Sequence, residues 1–411
     1  MKRLLSLLLT FCLTASLLPA QVQAAENASS GGLDRLGIRQ ISEKEYAMTP
    51  DVKEYEWILN NGALTQQMMG HVMEVKVGEG STASIAAGYS DDDIETIKTG
   101  RNWAMTETTK QAQSMQTRRN TNVVGAINAG GYDMSNGRPS GAFIMSGTKI
   151  NDPTGTTFWI DGSGAAHITS AQECKDALAA GNVREAVASF GDIFENGRAR
   201  SGLDNTTRAS RTDIGIKNDG TVVMLMVDGR QAPYSVGMTM AEVAAAMEDL
   251  GCVQAINLDG GGSSAMAVRN PGESTAALIS QPSDGSQRAC ANYIFFVNNI
   301  AADGVTAHAV LTPSHRYVLP GGSTWFSVKG ADASYASADA PTDLSYTVND
   351  ELGTVSGQTF TAGSKAGRAA ITGSNGTVSG SMNVCITTGV DSIALQSGGK
   401  ALSSISVKPG Q

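Results

Sequence analysis

Ten residues of this chain, NLDGGGSSAM from Asn257 to Met266, set one carboxylate directly before three glycines and two serines. Glycine loses more conformational freedom on folding than any other residue and gives a strand interior nothing to pack. Three in succession are expected where bare backbone is needed, and two uses are open. One is a ligand approaching the main chain, with Gly260, Gly261, Gly262 and Ser263 offering N–H groups to an anion beside Asp259. The other is a sharp turn after the apolar run Val253–Ile256, which fits Gly260 taken alone. Asp259 and Ser263-Ser264 in the same stretch favour a site, because loops on a rigid scaffold are where chemistry is carried.

The elements that must position this stretch follow from periodicity. Thr239 precedes Glu242 by three residues, as in a capping box, Val243, Met247 and Leu250 recur on one face, and Gly251 stops the run, so Thr239–Gly251 is expected as a helix. It feeds a strand from Cys252 to Leu258. Upstream, Thr221–Val227 reads as a strand ended by Asp228-Gly229-Arg230. Both Asp228 and Asp259 therefore stand at strand ends, and spacing alone leaves open whether the ends share one edge. Asp-Gly is also the commonest hairpin-turn pair, so Asp228 keeps a turn-only reading.

Further strands are expected at Met69–Val77, Val123–Ile127, Phe143–Met145, Thr157–Ile160 and Ile214–Ile216, with a helix at Ala171–Ala180 capped by Ser170. The fold class implied for residues 62–300 is α+β, a mixed, strand-rich sheet core with a few helices. Residues 26–61 are polar with little period and read as an arm or linker packed on that domain. Past residue 300 Thr, Ser, Ala and Gly dominate, and Thr324–Val328, Leu344–Val348, Gln358–Ala362 and Arg368–Thr372 resemble the strands of a small sandwich over 301–389. Residues 390–411 read as the start of a further β module or a tail.

Composition bounds the function. Lys2 and Arg3, the apolar run Leu4–Leu18 and the small residues near Ala24-Ala25 read as a secretory leader over residues 1–25, so the product is expected to be secreted or attached to the cell surface or wall. No later run approaches the length of a membrane span. A net charge of −9, spread along the 411 residues, argues against nucleic acid as the main partner. Four cysteines follow the leader, far apart, with Cys252 and Cys290 in apolar stretches; buried free thiols are favoured over a disulfide. The four histidines stand alone and no C-x-x-C pair is present, so no metal site and no cofactor are expected. Asp, Asn and backbone oxygens would suffice for calcium, but no spacing demands it.

Six stretches, INAGGYD (Ile127–Asp133), SGAFIMSGTKI (Ser140–Ile150), SRTDIGIKNDG (Ser210–Gly220), VDGRQ (Val227–Gln231), NLDGGGSSAM and QRACANYIFFV (Gln287–Val297), occur in series. In order and spacing they resemble the phosphodiester glycosidase family, and the tail resembles bacterial immunoglobulin-like domains of group 2. The first resemblance implies hydrolysis of the glycosidic bond of a sugar 1-phosphodiester, releasing the sugar and a phosphomonoester. Carbohydrate or phosphoglycan would then be the partner, with wall contact through the Ig-like tail.

Under that reading glycoside cleavage wants carboxyl groups about an oxocarbenium-like transition state. Asp259 is the first candidate and Asp228 the second, with Asp133 in reserve. Phosphate leaves readily, so one carboxylate that activates water or stabilises the cation can suffice. Arg211 and Arg288, within matching motifs, offer planar guanidinium forks for the diester. Asn128 and Thr212 would orient hydroxyls or a water, or else clamp the Gly130-Gly131 loop; Asn292 completes the binding set. Two positions depart from the family's pattern. Gly131 stands where an aromatic residue is frequent in the family, which is expected to open the pocket or alter sugar stacking, and Asp213, where a small residue is common, adds a negative charge close to the expected place of the phosphate. These departures keep a non-catalytic carbohydrate-binding or wall-associated module as the alternative.

Overall fold

The computed structural model describes residues 31–49, 51–60, 66–88, 105–349, 351–388, 395–397 and 400–402; the expected leader and most of the segment after 390 lie outside them. Three sheets enclose one core before residue 300. The largest has eight strands in the order Arg39–Thr49, Val52–Asn60, Gln67–Val75, Val222–Val227, Arg211–Lys217, Cys252–Asn257, Gly191–Glu195 and Arg198–Ala199. A five-stranded sheet runs Thr148–Asn151, Phe143–Met145, Val183–Ala188, Thr157–Asp161 and Ala166–Thr169. A second runs Ala277–Leu278, Met266–Val268, Val123–Asn128, Tyr293–Asn298 and Ala83–Gly88. Met73, Met224 and Ile256 from the first, Phe143 and Val187 from the second, and Ile127 and Phe296 from the third meet in a shared interior, which gives the strand-rich, barrel-like unit. Each such buried side chain contributes about 1.5–3 kcal/mol by leaving water.

The other face of the large sheet is covered by the helix Met240–Asp249, whose Val243, Ala244 and Met247 pack on Trp57, Leu59, Val223 and Leu225. Thr239 and Glu242 form the reciprocal cap that the sequence implies, as do Ser170 and Glu173 on the helix Ala171–Ala179. A third helix, Thr108–Arg119, has no counterpart in the periodicity reading, because its face toward the core is built from Thr108, Gln111, Ala112 and Met115 rather than from a large apolar stripe.

Two expectations change. The sheets before residue 300 were expected to be mixed, yet every described pairing in them is antiparallel. The helix does join two strands of like direction, Val222–Val227 and Cys252–Asn257, but Arg211–Lys217 lies between them and runs opposite to both. The segment read as an arm supplies the hairpin Arg39–Thr49 and Val52–Asn60, which extends the large sheet. Past residue 300 an all-β module forms its own core around Phe326, Phe360, Ile371 and Val384. Among the described residues no helix is long and apolar enough to cross a membrane.

Candidate active site

The intervening strand settles the edge question left by spacing. Arg211 pairs with Val227 and Asp213 with Asn257, so the C-terminal ends of both neighbours reach the same end of the sheet. Asp228 and Asp259 leave there on either side of Ser210. Gly261 N–H donates to Ser210 O at 2.8 Å, and Ser210 Oγ lies 3.4 Å from Gly229 O.

Asp259 is half-buried. Its N–H donates to Ala129 O at 2.9 Å and its carbonyl accepts from Asn128 Nδ2 at 2.7 Å, so the main chain is held while the carboxyl is left to its surroundings. Burial pushes the carboxyl above the usual carboxylate range, opposed by the Ser263 hydroxyl, the charge of Arg288 and the Gly260 N–H. Arg288 donates from Nη1 to Ser263 Oγ at 3.2 Å and from Nη2 to Asp284 Oδ2 at 2.7 Å. Tyr132 closes another side. Its hydroxyl donates to Ala289 O at 3.0 Å, and burial, with Cys290 and Asp259 nearby, drives its proton affinity up. Cys290, whose thiol burial pushes up to about 11, is a neutral wall of the site.

The short 3-10 turn Gly261–Ser263 explains the glycines. Gly261 has φ +64°, and a methyl group there would sit 3.1 Å from a guanidinium nitrogen of Arg230, an exposed residue itself held at φ 60°. A methyl group on Gly262 would fall inside the Arg288–Asp284 ion pair. The bare backbone thus lets two arginine side chains lie against the turn, one on each flank. This differs from a cradle made of the N–H groups alone, since the Gly261 N–H is already spent on Ser210.

The remaining expected residues fall in two groups. Asn128 and Thr212 are buried, with the Thr212 hydroxyl 3.0 Å from both Asn128 Oδ1 and Ser264 Oγ, and Ala265 N–H donating to Asn128 Oδ1 at 3.1 Å. They clamp the Asp259 loop. Asn292 does the same for the neighbouring loop, donating from Nδ2 to Gly130 O at 3.0 Å. Arg211 donates to the carbonyls of Met238 and Thr207 at 2.9 and 2.8 Å, on the strand face opposite Thr212. Asp133 is exposed and closes a local turn by accepting from Ser135 and Asn136.

Asp228 is fully buried. Its carboxylate accepts from Tyr234 Oη at 2.8 Å and from Gln281 N–H at 2.8 Å, and faces His71 Nε2 at 3.2 Å. The positive φ of this segment falls at Arg230 rather than Gly229, so it is not an Asp-Gly hairpin turn. The two departures also take definite places. The opening expected at Gly131 is covered by the Phe190 ring. Asp213 is buried on the face away from Thr212, accepts from Asn257 Nδ2 at 2.7 Å, and is pushed up to about 7 by burial.

Sequence reasoning missed Tyr132, Arg230, Asp284 and Phe190. Tyr132 and Arg230 lie inside the motifs Ile127–Asp133 and Val227–Gln231 and were available; Asp284 and Phe190 carry no local signal, since only chain folding brings them to this end of the sheet. A separate cleft of about 440 Å³ lies between the barrel-like unit and the tail, lined by Asn122, Arg269, Asn298 and Ala336 among others, and none of the expected residues borders it. The Asp259 cluster is the better site on chemistry, because carboxyl, guanidinium and phenol converge there. Among the described residues no three His, Cys, Asp or Glu side chains gather as a metal cluster.

Residues 121–297 match the family model described as phosphodiester glycosidase, a stretch that holds all six quoted motifs. The uncharacterized SPbeta prophage-derived protein YomE of Bacillus subtilis (strain 168) is 29% identical over 227 residues, 52% of this chain and 34% of that protein. The chain thus spans about a third of the length of the curated relative it matches. Among solved structures, the catalytic domain of zebrafish N-acetylglucosamine-1-phosphodiester alpha-N-acetylglucosaminidase, auto-inhibited by its pro-peptide, is similar at a TM-score of 0.46 and 17% identity, over 62% of this chain and 87% of that one. A putative exported protein of Burkholderia pseudomallei K96243 is similar at a TM-score of 0.47 and 13% identity, over 66% and 100%.

Proposed function

We propose that this chain is an exported glycosidase that hydrolyses the glycosidic bond of a sugar 1-phosphodiester, releasing the sugar and a phosphomonoester. The observation that carries the reading is the half-buried Asp259 carboxyl beside Ser263 and Arg288 at the foot of the glycine turn, inside the stretch matched to the phosphodiester glycosidase family. The leader read over residues 1–25 supports export. The tail, with its separate core, is read as an Ig-like module that meets wall glycan.

The diester would lie against the flanks of the turn, its anionic oxygens received by Arg288 and Arg230. As the bond from the anomeric carbon to oxygen breaks, its electron pair leaves with the phosphate, which carries the charge without a strong general acid. Positive charge grows on the sugar, where the Asp259 carboxylate stabilises it. A water oxygen then bonds to the anomeric carbon and gives its proton to Asp259. Asp284, which sequence reasoning did not select, is the second carboxyl of the cluster and holds Arg288 in place.

The test is a panel of hexose and N-acetylhexosamine 1-phosphodiesters incubated with the whole chain in water labelled with heavy oxygen. Sugar release with label in the sugar is expected. Label in the phosphate would replace the glycosidase by a P–O-cleaving phosphodiesterase. Saturable binding without product would leave a carbohydrate-binding module.

A further inference from the structure

Phe190 lies between the strands Val183–Ala188 and Gly191–Glu195, and the residue is 61% exposed. Its ring nonetheless has a fixed seat. A methyl group built on Gly131 would lie 2.5 Å from Phe190 Cζ and 2.6 Å from Cε2, so the ring rests directly on that glycine's backbone. Gly131 does not have the left-handed φ that would itself call for glycine, so the ring is what excludes a side chain there.

The seat is tied to the Asp259 loop from both sides. Phe190 N–H donates to Asn257 O at 2.8 Å, two residues before Asp259. Gly131 follows by two residues Ala129, whose carbonyl accepts the Asp259 N–H at 2.9 Å. Two residues of extended chain span at most about 7 Å. A water-facing aromatic ring thus stands on the two segments that hydrogen-bond the Asp259 loop, at the same end of the sheet as that residue.

Leaving a phenyl ring in water forgoes the stabilisation that its burial would give, and rings retained on a cleft rim are the usual apolar contacts of a ligand. The face of an aromatic ring is electron-rich and attracts polarised C–H groups, which a pyranose presents on its flat sides. We infer that Phe190, seated on Gly131, is the platform for the sugar ring of the substrate, while the arginines on the glycine turn take the phosphate. This inference rests on the glycosidase reading for the position of the anomeric carbon.

The experiment compares wild type with Phe190→Ala, Phe190→Leu and Phe190→Trp on the diester panel, and separately measures binding of the free sugars and of inorganic phosphate by calorimetry. Phe190→Ala and Phe190→Leu are expected to raise KM about tenfold with little change in kcat. Sugar binding should weaken in parallel, phosphate binding should stay unchanged, and Trp should restore both. Leucine fills the seat without an aromatic face, so equal behaviour of wild type and Phe190→Leu overturns the platform, as does a parallel loss of phosphate binding. A wild type that binds the sugars but turns over no diester refutes the glycosidase reading and leaves the platform to the binding data. A wild type that neither binds sugar nor turns over diester overturns both.

Discussion

Two aspartates leave the same end of one sheet, each at the end of a strand and each followed by glycine, and they end in opposite environments. Around Asp228 the chain closes: Tyr234, His71 and the Gln281 main chain surround the carboxylate, and solvent is excluded. Around Asp259 it stays half-open, and Gly261 and Gly262 leave room for Arg230 and Arg288 to lie against the backbone. The same dipeptide signal thus ends in a closed hub in one place and in a half-buried corner, the proposed reaction site, in the other. What separates them is how many donors the rest of the fold delivers to each.

That contrast can be broken most directly at Asp259. Asp259→Asn should cut turnover on a sugar 1-phosphodiester by about 10²- to 10⁴-fold while the melting temperature stays near wild type; activity that survives would remove this carboxyl from the chemistry. Asp228→Ala should act through folding instead. It strands buried donors that the carboxylate now satisfies, a loss on the order of 3 kcal/mol or more in denaturant unfolding. Any surviving folded fraction should turn over normally, and a stable but inactive variant would make Asp228 part of the chemistry.

Gly262→Ala tests the room that glycine provides. Its methyl group displaces the Arg288–Asp284 pair, so KM for the diester should rise by about tenfold. Unchanged kinetics would mean that the arginine is not used.

The smallest change is expected in a slope. Asp213 and Glu185 are both pushed up to about 7 by burial. The folded chain therefore keeps protons that the unfolded chain releases from about pH 4 upward, and stability falls as pH rises from about 4 to about 7, then levels off. Asp213→Asn should flatten melting temperature against pH across that window, leaving the share of Glu185. A profile as steep as wild type would show that Asp213 is already ionised in the fold.

Local signals carried much of the architecture. The capping boxes at Ser170 and Thr239 and the strand patterns at Val123–Ile127, Thr157–Ile160, Ile214–Ile216 and Thr221–Val227 each rest on residues a few positions apart, and those elements form where the pattern places them. The hairpin near the start was illegible because its polar strands are stabilised by pairing with Gln67–Val75, a partner set by the sheet and not by their own pattern. The antiparallel character of the sheet was hidden for a related reason: the strand that separates Val222–Val227 from Cys252–Asn257 precedes both in the chain.

The sequence by itself determined the acid-and-glycine turn, the motif series and the helices that frame it, since these depend on residue type and short spacing. Only the tertiary structure decided which candidates are tied up in the fold and which stand at the proposed site. Asn128, Thr212, Asn292 and Arg211 became clamps because buried polar groups must be satisfied, and their partners lie on segments as much as 162 residues away. Arg230, Asp284 and Phe190 lie against Gly261, Gly262 and Gly131 because a glycine without a side chain leaves room that any part of the folded chain can fill, and no spacing along the sequence names the residue that fills it.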